Sequence, residues 1–285
     1  MPTMSDRLEV RKTYKLYIGG AFPRSESGRS YEVHGADGTF VANPCLASRK
    51  DLRDAVVAAR GAQSGWAGAT AFNRGQILYR IAEMMEGRAE QFASEISVLD
   101  GVSIAEARRE VHAAIDSWVW YAGWSDKLSV IAGSTNPVSG PFYNFTIPEP
   151  MGVVGAIATE GKSLLGLVNA IAPIIVSGNT TIALASTRAP LPAISFAEVL
   201  ATSDLPHGVC NILTGKKSEL APWFASHMEI GALDISGIEN SSDIAEIKVA
   251  GAQNLKRIHS FGQIASPERI LAFMESKTIW HPIGI

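Results

Sequence analysis

The stretch that decides the fold runs from Met151 to Pro190: MGVVGAIATEGKSLLGLVNAIAPIIVSGNTTIALASTRAP. Val153 to Ile157 is a short apolar run, suited to a strand buried on both faces. Ser163 to Val176 is long enough for a helix, with Leu164, Leu167, Val168, Ile171 and Ile175 at helical spacing. Gly178 and Asn179 stop it. Thr180 to Leu184 is β-branched and apolar and predicts a second buried strand. Strand, helix and strand make a βαβ unit, which implies a parallel sheet with a right-handed crossover.

The chain repeats this alternation on the C-terminal side. Ala193 to Thr202 predicts a helix, LPHGVCNILTG (Leu205 to Gly215) a turn into a third parallel strand, Leu220 to His227 a helix, and HMEIGALDISG (His227 to Gly237) another strand. On the N-terminal side, Pro141 to Pro150 (PFYNFTIPEP) alternates and is flanked by prolines, which predicts an exposed edge strand. Gly133 to Gly140 reads as a loop. Ile104 to Val130, Glu86 to Asp100 and Asn73 to Met85 read as helices, with Arg74 and Arg80 on solvated faces. Trp118, Trp120, Tyr121 and Trp124 suit core packing better than an aromatic ligand cage, because they recur at i, i+3 and i+4 spacing. Asp51 is a plausible N-cap for a helix carrying Leu52, Val56 and Ala59 that ends near Trp66. Ser25 to Gly38 is turn-rich, and Tyr14 to Phe22 reads as a hairpin strand.

A length of 285 residues, 46% hydrophobic and 19% charged, describes a globular chain able to bury a large core. The net charge of -3, from 25 basic and 28 acidic residues, gives no electrostatic case for nucleic acid. No apolar run reaches membrane-spanning length. The N-terminal segment MPTMSDRLEVRKTYK has no apolar signal core, so a cytoplasmic location is expected. Cys45 and Cys210 lack metal spacing and read as two small apolar residues. The six histidines (His34, His112, His207, His227, His259, His281) show no paired metal spacing. Ser163 at a helix start reads first as an N-cap, with anion binding as the less favoured alternative.

Several of these stretches together resemble the NAD(P)-dependent aldehyde dehydrogenase superfamily: WYAGWSDK (residues 120–127), the GVVGAI to SGNT block with Pro190, LPHGVCNILTG, Asn254-Leu255-Lys256-Arg257, and the tail around ESKTIW. The resemblance covers nearly the whole chain. It implies an α/β fold with a Rossmann-like parallel sheet, helices on both faces and a small β oligomerisation arm. Residues 1–140 and 151–265 would form the core that resembles a cofactor domain. Residues 141–150 and 270–285 would form the arm.

The positions that carry the family's chemistry differ. Its Pro-Trp-Asn-Phe-Pro turn, whose Asn helps form the oxyanion hole, falls on Thr159, Glu160, Gly161, Lys162 and Ser163. Its ribose-holding Lys-Pro-Ser/Ala-Glu falls on Leu184, Ala185, Ser186 and Thr187. Its glycine-rich turn falls on Gly215, Lys216, Lys217 and Ser218. Its Phe-Thr-Gly-Ser falls on Ile235, Ser236, Gly237 and Ile238, and the Thr-Glu-Val-Gly that opens the phosphate-facing helix falls on Glu239, Asn240, Ser241 and Ser242. Glu239 adds an anion where a phosphate would sit. The catalytic-base Glu falls on Phe261, which cannot move a proton.

Only a few residues separate Gln263 from a tail that resembles the family's C-terminal strand, so the Cys-bearing catalytic domain is expected to be absent. These readings predict no catalytic, cofactor-binding or metal residues and no cofactor, NAD or NADP being the family's own. They favour a non-catalytic assembly subunit. It would form a homo-oligomer, with a dimer as the prior, or pair with a full-length aldehyde dehydrogenase. The alternative is an NAD(P)-linked oxidoreductase acting on aldehydes, or a nucleotide-binding subunit of one.

Overall fold

A computed structural model describes residues 11–262 and 264–284. The segment before Arg11, Gln263 and Ile285 lie outside the described residues, and with them the N-terminal reading. In chain order the elements are β1 (Val33–His34), β2 (Phe40–Ala42), α1 (Arg49–Gly68), α2 (Ala71–Glu86), α3 (Ala89–Asp100), α4 (Ile104–Ala122), α5 (Leu128–Ala132), β3 (Ser134–Asn136) and β4 (Phe142–Pro150). Then come β5 (Val153–Ile157), α6 (Ser163–Val176), β6 (Thr180–Leu184), α7 (Leu191–Leu200), β7 (Cys210–Leu213), α8 (Lys217–Ser226), β8 (Ala232–Asp234), α9 (Ser241–Ala252), β9 (Arg257–His259), α10 (Pro267–Leu271) and β10 (Met274–Pro282).

The predicted βαβ unit is present with the expected bounds, and β5 pairs with β6 in parallel from Val153–Thr180 to Ile157–Leu184. The full parallel sheet has the order β7-β6-β5-β8-β9. Its strands alternate as a pleat demands. Val153, Ile157, Ile182 and Leu184 enter the core cluster that holds Leu52, Val56 and Phe224. Val154, Ala156 and Ala183 enter the other, with α6, α7 and the α2–α4 helices. Trp118 and Tyr121 are fully buried there, while Trp120 and Trp124 pack half-buried beside them. The aromatic segment is core, as its spacing predicts.

Four local expectations are corrected. Ser48, not Asp51, is the N-cap of α1; Asp51 is the N3 residue of a capping box, its carboxylate accepting from the Ser48 amide. Tyr14 to Phe22 forms no strand; Ile18 and Ala21 close a tight turn through Gly19 and Gly20, and Tyr17 bridges to Ile212 at the edge of β7. The Ile104 to Val130 helix stops at Ala122, where Gly123 leads into a turn before α5. Arg74 is not solvated. Its guanidinium donates to the carbonyls of Ala67, Ala69 and Val176, satisfying the ends of α1 and α6 together. Arg80 is on the surface as expected, paired with Glu83.

Beside the core lies a three-stranded sheet, β10-β4-β3. The predicted strand Pro141 to Pro150 is present, but as the central strand rather than an edge. The supposed loop before it contributes β3, and β10 pairs with it antiparallel from Met274–Pro150 to Pro282–Phe142. Proline is tolerated at Pro148 and Pro150 because β3 reaches only Asn144 to Thr146, so those residues have a neighbour on one side alone. Asn179 joins the sheets. Fully buried, it accepts from the Gly152 amide at 2.8 Å and donates to the Phe273 carbonyl at 2.7 Å, just ahead of β10.

Candidate functional site

The strand order reverses between β5 and β8. In open parallel sheets, ligands bind outside the carboxyl ends of the strands at such a reversal. Here Ala158 and Thr159 follow β5, and Ile235 to Gly237 follow β8. The two loops touch through their backbones, with the Gly237 amide donating to the Ile157 carbonyl at 2.9 Å. A Cβ at position 237 would lie 2.0 Å from the Ala158 oxygen, so only glycine permits the approach. What remains between Thr159, Ser236, Phe261 and Arg269 is a space of about 10 Å³, too small for a ligand.

Lys217, at the start of α8, crosses this closed crevice. Its ammonium donates to the Ala158 carbonyl at 2.6 Å and the Gly237 carbonyl at 3.0 Å, and pairs with Glu160 at 2.6 Å. Glu160 in turn gathers the loop after β6, accepting from the Ser186 hydroxyl at 2.6 Å and from the Thr187 and Arg188 amides at 3.3 and 3.1 Å. Burial works to raise the Glu160 carboxyl, but the Lys217 and Ser186 hydrogen bonds outweigh it and hold the group below its ordinary value. Burial lowers Lys217, opposed by Glu160 and by the nearby charge of Glu239. The pair latches together the loops after β5, β6 and β8.

Two further anion-accepting positions are filled by the protein itself. The first amides of α6, at Leu164 and Leu165, donate to Glu110 of α4 at 3.0 and 3.3 Å. Burial raises that carboxyl despite the two amides. Ser163 does not cap the helix; Lys162 holds the N-cap position in a left-handed conformation, and the Ser163 hydroxyl is buried without a hydrogen bond. At α9 the Ser242 and Asp243 amides donate to the Asn240 side chain.

Leu184 ends β6 fully buried in the core. Thr187 donates to the Gly215 carbonyl at 2.9 Å. Phe261 stacks on His259 at 5.7 Å, meets Phe273 at 5.9 Å, and lies 4.9 Å beneath the Arg269 guanidinium. Arg269 is itself buried in an ion pair with Asp234, whose carboxyl burial raises. Cys45 and Cys210 are free and buried, and burial pushes the Cys210 thiol up. Among the described residues no group of three His, Cys, Asp or Glu could hold a metal, and no helix is long and apolar enough to cross a membrane.

A dinucleotide does not fit these residues as they stand. The amides at α6 and α9 and in the loop after β6 already have acceptors, an aliphatic side chain stands at the ribose-lysine position, and an ammonium spans the crevice. An open feature nearby is a slot of about 110 Å³ between α8 and α9, walled by Ala221, Pro222, Ile238, Ile247 and Ala250 with Asp243 and Glu246 at its rim. Sequence reading missed the Lys217–Glu160 latch and the Glu110 cap. The signal for the latch was present: two opposite charges stand at family positions that carry none.

The sheet order, the helix layers and the crevice define an α/β protein of the dinucleotide-domain class. The model of the aldehyde dehydrogenase family matches residues 22–260. The chain belongs to that family. It is 32% identical over 265 residues to retinal dehydrogenase 2 of Homo sapiens, covering 90% of this chain and 50% of that protein. It is 31% identical over 260 residues to cytosolic 10-formyltetrahydrofolate dehydrogenase of Pongo abelii, covering 87% of this chain and 28% of that protein. The solved aldehyde dehydrogenase from Bacillus cereus superposes with a TM-score of 0.81 at 25% identity, over 87% of this chain and 50% of that one. PnpE from Pseudomonas sp. WBC-3 does so with a TM-score of 0.82 at 27% identity, over the same shares. The chain thus spans half, or less, of the relatives it matches.

Proposed function

We propose that this chain is a non-catalytic, aldehyde dehydrogenase-like assembly subunit, acting with copies of itself or with an active full-length aldehyde dehydrogenase. The observation that carries this reading is the latch: Lys217 and Glu160 occupy the crevice with protein groups and satisfy one another there. Gly161 in place of the oxyanion Asn, Leu184 in place of the ribose Lys and Phe261 in place of the base Glu remove separate requirements of aldehyde oxidation. The packing elements are kept, including the arm. The exposed Phe142 and Trp280 on β4 and β10, whose rings meet at 5.7 Å, give that arm an apolar face for a second subunit.

The competing reading, an NAD(P)-linked oxidoreductase acting on aldehydes or its nucleotide-binding subunit, draws on the chain's relatives and on the slot between α8 and α9. Calorimetry with NAD and with NADP, on a sample whose oligomeric mass is measured in parallel, separates the two. No saturable heat in a dimer or larger species is the expected result. Micromolar binding, about -8 kcal/mol, refutes the assembly reading and favours the nucleotide-binding one.

A further inference from the structure

A second cavity, of about 370 Å³, lies between the segment following residue 10, the turn at residues 24–30 and the chain around Cys45. We propose that it is a binding site for a small polyanion carrying two or more phosphoryl or carboxylate groups. Among the described residues four cations line it, Arg11, Lys12, Arg24 and Arg29, and no carboxylate does. This is against the trend of a chain whose net charge is -3. Thr13 and Asn43, both exposed, add neutral donors.

The walls are held by backbone hydrogen bonds rather than by chance side-chain positions. The Cys45 amide donates to Tyr14 at 3.1 Å, Leu46 to Arg29 at 2.9 Å, Tyr31 to Pro44 at 3.2 Å and Gly28 to Ser25 at 2.9 Å. Lys12 and Arg29 are anchored from outside the cavity by Glu198 and Glu219 at 2.8 and 3.2 Å. Arg24 is exposed and makes no ion pair among the described residues, which leaves its fork for a ligand. The volume lies at the lower end of that of small-molecule pockets and exceeds the need of a single phosphate.

The test is calorimetry on the full chain with pyrophosphate and with citrate at constant ionic strength, with sodium sulfate as a single-centre control. Saturable binding of pyrophosphate or citrate, tighter than sulfate and weakened about tenfold by Arg24→Ala, is expected. Whichever anion binds more tightly identifies the source as phosphoryl or carboxylate. Arg53→Ala, at an exposed arginine paired with Asp54 elsewhere on the surface, should leave binding unchanged. Absence of saturable heat, or equal loss in Arg24→Ala and Arg53→Ala, overturns the site. Neither outcome depends on whether NAD binds.

Discussion

Replacing Lys217 with methionine removes the ammonium and keeps the stem. Glu160 then loses its ion pair, and the Ala158 and Gly237 carbonyls lose a donor. A hydrogen bond to a charged group contributes about 1.5–3 kcal/mol. The pair is only partly enclosed, with Lys217 12% and Glu160 32% exposed, so solvent screens part of this. Glu160 also keeps its bonds from Ser186, Thr187 and Arg188. A net loss of about 1–2 kcal/mol follows, or about 2–8 °C in Tm for a chain of this size. Because Glu160 sits below its ordinary value of 4.5 when folded, its share is present above that pH and lost as the pH falls through the lower folded value. Wild type and Lys217→Met should therefore converge in acid. The assay is urea unfolding at neutral and acid pH, for Lys217→Met, Glu160→Gln and the double variant. A coupling energy below about 0.3 kcal/mol, or a gap unchanged in acid, would refute the latch.

Three further outcomes are expected. Glu110→Ala on α4 should cost about 1–2 kcal/mol by uncapping α6, measured by chemical denaturation, whereas Glu106→Ala in the exposed first turn of α4 should cost less. Trp118→Ala should cost about 3–5 kcal/mol, since the ring is fully buried and stacked on Phe196 at 5.7 Å; a change under 1 kcal/mol would contradict the packing. Phe142→Ser with Trp280→Ser on the arm should lower the oligomeric mass seen by light scattering while far-ultraviolet circular dichroism stays constant; an unchanged mass would count against the arm as the assembly surface.

Legibility followed the physics of each element. The βαβ unit from Val153 to Leu184 could be read residue by residue, because a strand buried on both faces and a helix buried all round leave continuous apolar runs. The third parallel strand and the arm strand were equally plain. What escaped reading depends on partners distant in the chain. Whether Pro141 to Pro150 is an edge strand depends on β10, more than a hundred residues later. Arg74 has an ordinary charged-residue pattern, and only the meeting of two helix ends buries it. The capping residue of α1 was misplaced by three because Asp51 and Ser48 are both good caps and act as a reciprocal pair. At the candidate site, the departures from the family pattern at Gly161, Leu184 and Phe261 were visible. The pairing of the two charged replacements that fill the crevice was not, since Glu160 and Lys217 lie far apart in sequence and only the fold brings them together.

The nine-residue ladder between β4 and β10 has a consequence for the order of folding. Residues 151 to 273, the whole parallel sheet and its crossover helices, lie between its two strands, so its ends can meet only after the intervening chain has brought them together. Closing so long a loop first would cost chain entropy with no local contact in return. The arm is therefore a late-forming element, and its pairing reports a completed core. A partner that recognised the paired arm would be shielded from engaging half-folded chains, since neither strand alone presents the surface that the finished ribbon does.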